Sequence, residues 1–313
     1  MTLRLYDAHN HLQDERLALH RASILAALEP EGIARMVVNG SCEEDWPEVL
    51  ALARQSPRII PSFGYHPWYV RERTADWKTK LRACLDQAPA AIGEIGLDRW
   101  KADGDPGDQE EVFIGQLRLA AERGLPASIH CLQAWGRMLE ILRAEPRPKC
   151  GFLLHSYGGS RELLEPLAEL GAYFSFPGYF AHDRKTRQRE TFRHVPPDRL
   201  LVETDAPDQL LPDALNSHPL TDASSGRPLN HPANLGAVYT FLAQWLNEPI
   251  AALAKRVEDN FQRLFEPVLC DRPLPSGSPT APPRLTLRTA VELNSNNALE
   301  LNPRDTETQR NNG

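Results

Sequence analysis

The sequence predicts an α/β protein whose parallel strands close into a (β/α)8 TIM barrel. Three observations carry that expectation. Eight short β-type runs alternate with longer helical patterns. The first run is followed by His9-Asn10-His11, not by the glycine-rich loop that opens many doubly wound sheets. The 313-residue chain also leaves room for the roughly 250 residues such a barrel takes.

In chain order, strands are expected at 3–8, 35–39, 59–63, 91–94, 127–130, 152–155, 172–176 and 201–204. Helices are expected between them at 18–29, 43–55, 75–87, 109–123, 133–144, 160–170 and 184–194, with two more at 233–246 and 249–265. The fourth helix shows the reasoning. Phe113, Leu117, Ala120 and Ala121 fall on one helical face, Asp108 and Glu111 have capping-box spacing, and Gly124 stands where a C-terminal cap belongs. Residues 206–232 read as a proline-rich lid or substrate loop after strand eight. The barrel domain is expected over 1–267. The Pro/Asn-rich remainder, 268–313, is expected to be a disordered tail that offers a docking segment for a protein partner.

Composition narrows the function. Hydrophobic residues make up 41% and charged residues 25%, ordinary for a globular protein with a full core. A formal charge of −7 argues against coating nucleic acid by charge alone, so any such contact must be local. Bound cations would reverse the local sign. Five cysteines without a CxxC pair point to a reducing compartment. No signal-peptide pattern or apolar run of about 20 residues is present, so no membrane span is expected and a cytoplasmic protein is.

The chemistry lies at the strand ends. Strand one carries Asp7-Ala8-His9-Asn10-His11, strand four ends at Glu94, strand five at His130, strand six at His155, and strand eight runs into Glu203-Thr204-Asp205. His9 and His11 alternate to one side of an extended chain. In a parallel barrel these C-terminal ends share one mouth. A lone histidine is ordinarily a hydrogen-bonded core residue, and a lone acid after a strand is ordinarily a helix cap. Six ligand-type side chains at strand ends together need another explanation.

Six exceed the three that one catalytic zinc uses, and suit two divalent ions such as zinc, magnesium, manganese or iron. We expect His9 and His11 on one ion and His130 and His155 on the other, with Glu94 as the bridge. Asp205 would bind the first ion and orient or deprotonate water. Two ions about 3.5–4 Å apart clamp a phosphate and generate hydroxide at neutral pH. Asp7 and Glu203, each two residues from a ligand, are expected to support the site. Cys131 should point away from the mouth.

The ordered set Asp7-Ala8-His9-Asn10-His11-Leu12, Gly64-Tyr65-His66-Pro67, Gly93-Glu94-Ile95-Gly96-Leu97-Asp98, Ile129-His130, Leu154-His155-Ser156-Tyr157-Gly158-Gly159-Ser160 and Glu203-Thr204-Asp205-Ala206-Pro207 resembles the TatD family. Asn230-His231-Pro232-Ala233-Asn234-Leu235 and Asn260-Phe261-Gln262-Arg263-Leu264-Phe265 continue it in the same order, so the likeness covers about 1–267. It implies an amidohydrolase-like metal-dependent barrel, a dinuclear site, and nuclease activity, often 3′→5′ on single-stranded DNA or RNA. Two places depart from the family pattern. Leu132 stands where the family usually has arginine, and His155-Ser156-Tyr157-Gly158-Gly159-Ser160 stands where it often has His-Cys-Phe-Ser-Gly-Ser, which keeps the ligand.

For substrate contacts, the family motif implies that His66 touches the scissile phosphate, and a turn residue before Pro67 is the alternative. Arg99, Trp100 and Lys101 combine an aromatic with cations, as a stacked base and a phosphate require. Arg184, Lys185, Arg187, Arg189 and Arg193 after strand seven would form a phosphate funnel, or else a solvated helix face. Two competing functions remain open. One is a hydrolase of a small ester, lactone or amide; relatives of that kind often bridge their metals with a modified lysine, and here Glu94 stands in its place. The other is a non-catalytic subunit of a nucleic-acid-processing assembly.

Overall fold

The computed structural model describes residues 3–101 and 104–269. Eight strands run parallel in sequential order: β1 (Leu5–Asn10), β2 (Ile33–Asn39), β3 (Ile59–Phe63), β4 (Ala91–Asp98), β5 (Ala127–Leu132), β6 (Phe152–Leu154), β7 (Ala172–Pro177) and β8 (Leu200–Glu203). The first and last meet where the chain leaves them. Asp205 N–H donates to His9 O (3.0 Å) and His11 N–H to Ala206 O (2.7 Å), bringing the two ends of the sheet together.

The helices are α1 (Arg21–Ala27), α2 (Trp46–Gln55), α3 (Trp77–Leu85), α4 (Pro106–Arg123), α5 (Trp135–Ala144), α6 (Leu164–Glu169), α7 (Thr186–Phe192), α8 (Leu235–Leu246) and α9 (Ile250–Leu269). Several begin with a 3₁₀ turn, as at Glu15–His20 before α1 and Asp183–Lys185 before α7. Strands such as β1 and β4 are buried along their whole length because helices cover the outer face and side chains fill the inner one.

The elements match expectation in number, type and order, and differ at their ends. Strand β1 lies two residues later than expected, which places His9 inside the strand. Strand β4 continues four residues past Glu94. Gly96 permits this: its φ is +147°, and a Cβ there would stand 2.0 Å from the His130 carbonyl oxygen. Helix α4 starts at Pro106 with Asp105 as its cap, accepting from Gly107 N (2.9 Å) and Asp108 N (3.3 Å). The Asp108–Glu111 capping box is therefore not formed. Asp108 pairs instead with Arg73 (2.6 Å), while Gly124 caps the helix in the left-handed conformation as expected.

Helix α9 runs through Val268 and Leu269, so the barrel continues two residues beyond the expected boundary at 267. The remaining tail expectation, 270–313, lies outside the described residues. Within 206–232 the chain forms a 3₁₀ turn and a small antiparallel pair, β9 (Leu220–Thr221) and β10 (Pro228–Leu229). Among the described residues no helix is long and apolar enough to cross a membrane.

Late motifs serve the end of β8. Asn230 Nδ2 donates to Thr204 O (2.8 Å), and Asn260 Nδ2 to Leu200 O (2.9 Å) and Pro197 O (2.9 Å). Tyr239 on α8 brackets Tyr6 of β1 through both its amide and its carbonyl.

Candidate metal centre and active site

The six expected ligands come together around the Glu94 carboxylate. Its Oε2 lies 3.1 Å from His11 Nε2 and 3.4 Å from His9 Nε2. Its Oε1 lies 2.9 Å from His155 Nε2 and 3.1 Å from His130 Nδ1. Asp205 Oδ1 stands 3.6 Å from both His9 Nε2 and His11 Nε2. Each oxygen of one carboxylate thus faces its own pair of imidazoles. Asp205 adopts φ +53°, a left-handed conformation that aspartate tolerates better than most residues.

The donor atoms fit cations. Within each group they are 2.9–3.6 Å apart. Ligand atoms about 2.0–2.1 Å from one ion stand roughly 3.3 Å from each other in a tetrahedral arrangement. Proton positions agree. His11 Nδ1 is 2.8 Å from the Asn39 carbonyl oxygen, so it donates and Nε2 keeps its lone pair. His130 Nε2 is 3.0 Å from Asp98 Oδ2, which leaves the Nδ1 lone pair facing Glu94. With neutral rings, the lone pairs of His11 and His130 face the Glu94 carboxylate from either side. Such a set is repulsive unless protons or cations stand between the donors.

His66 is of a different kind. Its Nδ1 accepts from Trp68 N (3.1 Å), so in the neutral ring Nε2 carries the hydrogen, 3.3 Å from Glu94 Oε1. It presents a donor where His130 presents an acceptor. Among the described residues, three metal-competent groups occur: His9, His11 and Asp205; His9, Glu94 and His155; and His66, Glu94 and His130. All of them lie in this one cluster.

Burial sets the electrostatics. It pushes His9 down to about 3, with the neighbouring His155 adding to the shift. Burial also acts against His11, but its hydrogen bond to Glu94 and the charges of Glu94 and Asp205 outweigh it and lift that ring to about 9. For Glu94, burial is overcome by His66, His155 and its other imidazole neighbours, which hold the carboxyl well below its ordinary range. Burial raises Asp205 to about 7, against the pull of His155 and His11, placing it where a base can take a proton near neutrality.

The supporting residues divide. Glu203 lies beneath His155, its Oε1 3.8 Å from His155 Nδ1. It accepts from Ser156 N (2.7 Å), Ser156 Oγ (2.5 Å) and Ser175 Oγ. Asp7 touches no ligand side chain. It accepts from Thr204 N (3.0 Å), Thr204 Oγ1 (2.6 Å) and His9 N (3.3 Å), strapping β1 to the end of β8. Cys131 is buried in the core and takes no part in the cluster.

The expected substrate residues are mostly not part of the cluster. Arg99 is held by Glu110 (2.7 Å), and Trp100 projects into solvent, 60% exposed. Arg184 and Lys185 lie over the Tyr179 ring at 5.1 and 4.8 Å and touch none of the ligands. Arg189 is buried, donating to Phe180 O and to His182 O, and it stacks on Trp245 together with Arg193. Arg189 is thus taken up within the fold, while Arg193 is exposed.

Sequence reasoning missed Asp98 and Trp68. Asp98 accepts from His130, from Trp68 Nε1 (2.8 Å) and from Trp100 N (2.7 Å), and His130 draws its carboxyl down to about 2 despite burial. Trp68, 39% exposed, lies beside His66 and His130, with Lys101 Nζ 3.9 Å from its ring centre. A cation thus lies on an aromatic face here, with Trp68 as the ring. Two signals point to these residues: Asp98 shares a strand face with Glu94, and Trp68 follows His66 by two.

Comparison with known proteins accords with this geometry. The TatD homolog of Escherichia coli K12 superposes with a TM-score of 0.76 at 26% identity, covering 85% of this chain and 99% of that one. A TatD-family hydrolase of Entamoeba histolytica shares the fold, with a TM-score of 0.75 at 16% identity over 85% and 99% of the two chains. The protein named 3′-5′ ssDNA/RNA exonuclease TatD is 30% identical in Escherichia fergusonii, over 83% of this chain and 98% of that protein. Its Cronobacter sakazakii counterpart is 33% identical, over 82% and 92%. The pattern described as TatD related DNase spans residues 6–266, and this chain belongs to that family.

Proposed function

We propose that this protein is a metal-dependent 3′→5′ exonuclease that hydrolyses phosphodiester bonds at the end of single-stranded DNA or RNA. The observation that carries the reading is the single buried carboxylate of Glu94, one oxygen of which faces His9 and His11 and the other His130 and His155, at 2.9–3.4 Å. The names of the relatives supply the substrate class and polarity.

His9, His11 and Asp205 would hold one divalent ion, His130 and His155 the other, with Glu94 shared between them. When bound, such ions supply positive charge to a phosphate and make water acidic enough to give hydroxide at neutral pH. Asp205 takes the proton of the attacking water. Gln209 Nε2 donates to Asp205 Oδ2 (2.5 Å), which fixes the carboxylate and leaves Oδ1 for the centre. His66 donates its Nε2 hydrogen to a non-bridging phosphate oxygen, stabilising charge that grows in the transition state. Asp98 holds His130 in the tautomer that offers Nδ1 inward. Trp68 and Lys101 offer a stacking surface and a cation on the outer side. Arg184 and Lys185 would steer the strand from farther out.

The test is purified protein with 5′-labelled single-stranded DNA, with and without chelator, alongside Glu94→Gln. We expect one-nucleotide shortening that chelator abolishes, and a loss of at least about a thousandfold in the variant, which should keep its fold and lose bound metal. Hydrolysis confined to small esters or amides, or a protein that takes up no metal, would refute the proposal.

A further inference from the structure

Three residues with a strained backbone meet behind the metal centre. Among the described residues, five that are not glycine have a left-handed backbone: Gln133, Ser156, Asp205, Gln209 and Asn247. Asn247 is the C-terminal cap of α8, an ordinary place for that conformation. Ser156 (φ +44°), Asp205 (φ +53°) and Gln209 (φ +50°) are joined to one another by hydrogen bonds. Such a residue persists only where its surroundings hold it, and such residues collect where a protein stores strain for function.

The side chain that joins them is Gln209. Its Nε2 donates to Asp205 Oδ2 (2.5 Å) and to Ser156 Oγ (2.6 Å), which uses both hydrogens of the amide. Ser156 Oγ donates its own hydrogen to Glu203 Oε1 (2.5 Å), and Ser156 N donates to the same oxygen (2.7 Å). That oxygen lies 3.8 Å from His155 Nδ1, which has no hydrogen-bond partner. One amide therefore reaches both halves of the centre. On one side it grips Asp205, which stands beside His9 and His11. On the other it grips the residue that directly follows His155. The backbone around Gln209 is anchored separately. Asp208 N–H donates to Asp205 O (2.9 Å), Arg16 pairs with the Asp208 carboxylate (2.8 Å), and His182 Nε2 donates to Leu210 O (3.0 Å). The amide is thus free to align the centre without having to hold the loop.

We propose that Gln209 is a positioning residue that keeps the two halves of the metal centre in register through one amide. It holds Asp205 with Oδ1 toward His9 and His11 and, through Ser156, fixes the turn that carries His155. The inference rests on the metal-dependent reading above and adds what couples the two groups of ligands. Gln209 acts on the ligands and not on the strand. Its loss should therefore appear in metal affinity and in turnover, and not in the Michaelis constant. The strained backbone gives a second signature. A side chain that holds residues in a costly conformation lowers stability in exchange for alignment, so removing it should not weaken the metal-free fold.

The experiment sets Gln209→Asn, Ser156→Ala and the double variant beside the wild type, all as the full chain. Asparagine tolerates a left-handed backbone, but its amide is one carbon too short to reach Asp205. Three quantities are measured: zinc affinity by competition with a chelator, melting temperature of the metal-free protein, and kcat and KM on 5′-labelled single-stranded DNA. We expect Gln209→Asn to weaken zinc binding about 10–100-fold and to lower kcat at least about tenfold, with KM within about twofold of wild type. Its metal-free melting temperature should stay level or rise. Ser156→Ala should also weaken zinc binding, and the double variant should lose less than the product of the two single losses, because both cut one bridge. A Gln209→Asn protein that melts earlier without metal yet binds zinc normally overturns the proposal, since the amide then only holds the loop. A KM that rises at unchanged kcat overturns it too, since Gln209 would then contact the strand, and so do single losses that multiply in full. If Gln209→Asn does not fold, Ser156→Ala decides, and unchanged zinc affinity there overturns the proposal. Wild-type protein that takes up neither zinc nor manganese refutes the metal-dependent reading itself, and this inference with it.

Discussion

At the scale of single residues, the centre depends on which ring nitrogen of each histidine carries the proton. His130 offers Nδ1 to Glu94 only because Asp98 takes the hydrogen on Nε2. In Asp98→Asn the side-chain amide can donate to Nε2 instead, which moves the ring proton to Nδ1 and blocks the inward lone pair. We expect metal affinity to fall about 10–100-fold, measured by competition with a chelator, with little change in the metal-free melting temperature. Unchanged affinity would show that Asp98 does not set the tautomer. The ligands were legible because each stands in or just after the C-terminal half of a strand, and in a parallel barrel those ends share one mouth. Asp98 was not legible from a strand expected to stop at Glu94. Its role depends on four further extended residues, which Gly96 allows through its close approach to His130. Asp7 sits one layer deeper on the same alternation, where it accepts from the His9 amide and from Thr204 and ties the strand that carries two ligands to the turn that carries Asp205.

At the scale of elements, periodicity identified the strands and helices, while their ends were decided by tertiary contacts. The start of α4 is an example: Pro106 fits the first helical position and Asp105 the cap, whereas Asp108 is drawn to Arg73 on a neighbouring loop. Trp68 lay in a turn with no period to mark it, and its importance comes from the fold bringing it against His130. The loop between β2 and α2 gives a measurable case of such tying. Glu43 accepts from Thr74 N (2.9 Å), Thr74 Oγ1 (2.5 Å) and Tyr65 OH, and pairs with Lys80 (3.0 Å). Desolvation opposes ionisation of its carboxyl, but these donors prevail and hold it at about 2, below the roughly 4.3 of an unfolded glutamate. A depressed carboxyl stabilises the fold above its unfolded value, and that contribution is lost as pH falls through the folded value. Glu43→Gln should therefore lower the urea midpoint by a constant amount between about pH 5 and 8. The gap to wild type should close progressively from about pH 4 downward. A gap independent of pH would mean that shape, not charge, is what Glu43 contributes.

At the scale of the whole molecule, the centre draws its side chains from β1, β4, β5 and β6 and from the turn after β8, so residues from His9 to Asp205 meet only when the barrel is closed. An unfolded chain does not present this arrangement, and bound metal therefore counts directly toward folding. At a free metal concentration one hundred times the dissociation constant, one site adds about 2.7 kcal/mol. For a domain of this size that corresponds to a rise of roughly 5–10 °C in melting temperature. The hydrophobic core is continuous around the barrel and does not depend on the centre, so chelated protein should still fold cooperatively and only melt earlier. Differential scanning fluorimetry across a titration of zinc, manganese or magnesium separates the possibilities. The native ion should give the largest shift at the lowest free concentration, and Glu94→Gln should flatten the response because it removes a donor from both groups at once. His130→Ala, which removes a donor from one group, should leave a smaller shift from the ion held by His9, His11 and Asp205. If the two variants flatten the response equally, the ions bind as one inseparable unit; if neither does, the cluster around Glu94 is not where the metal sits.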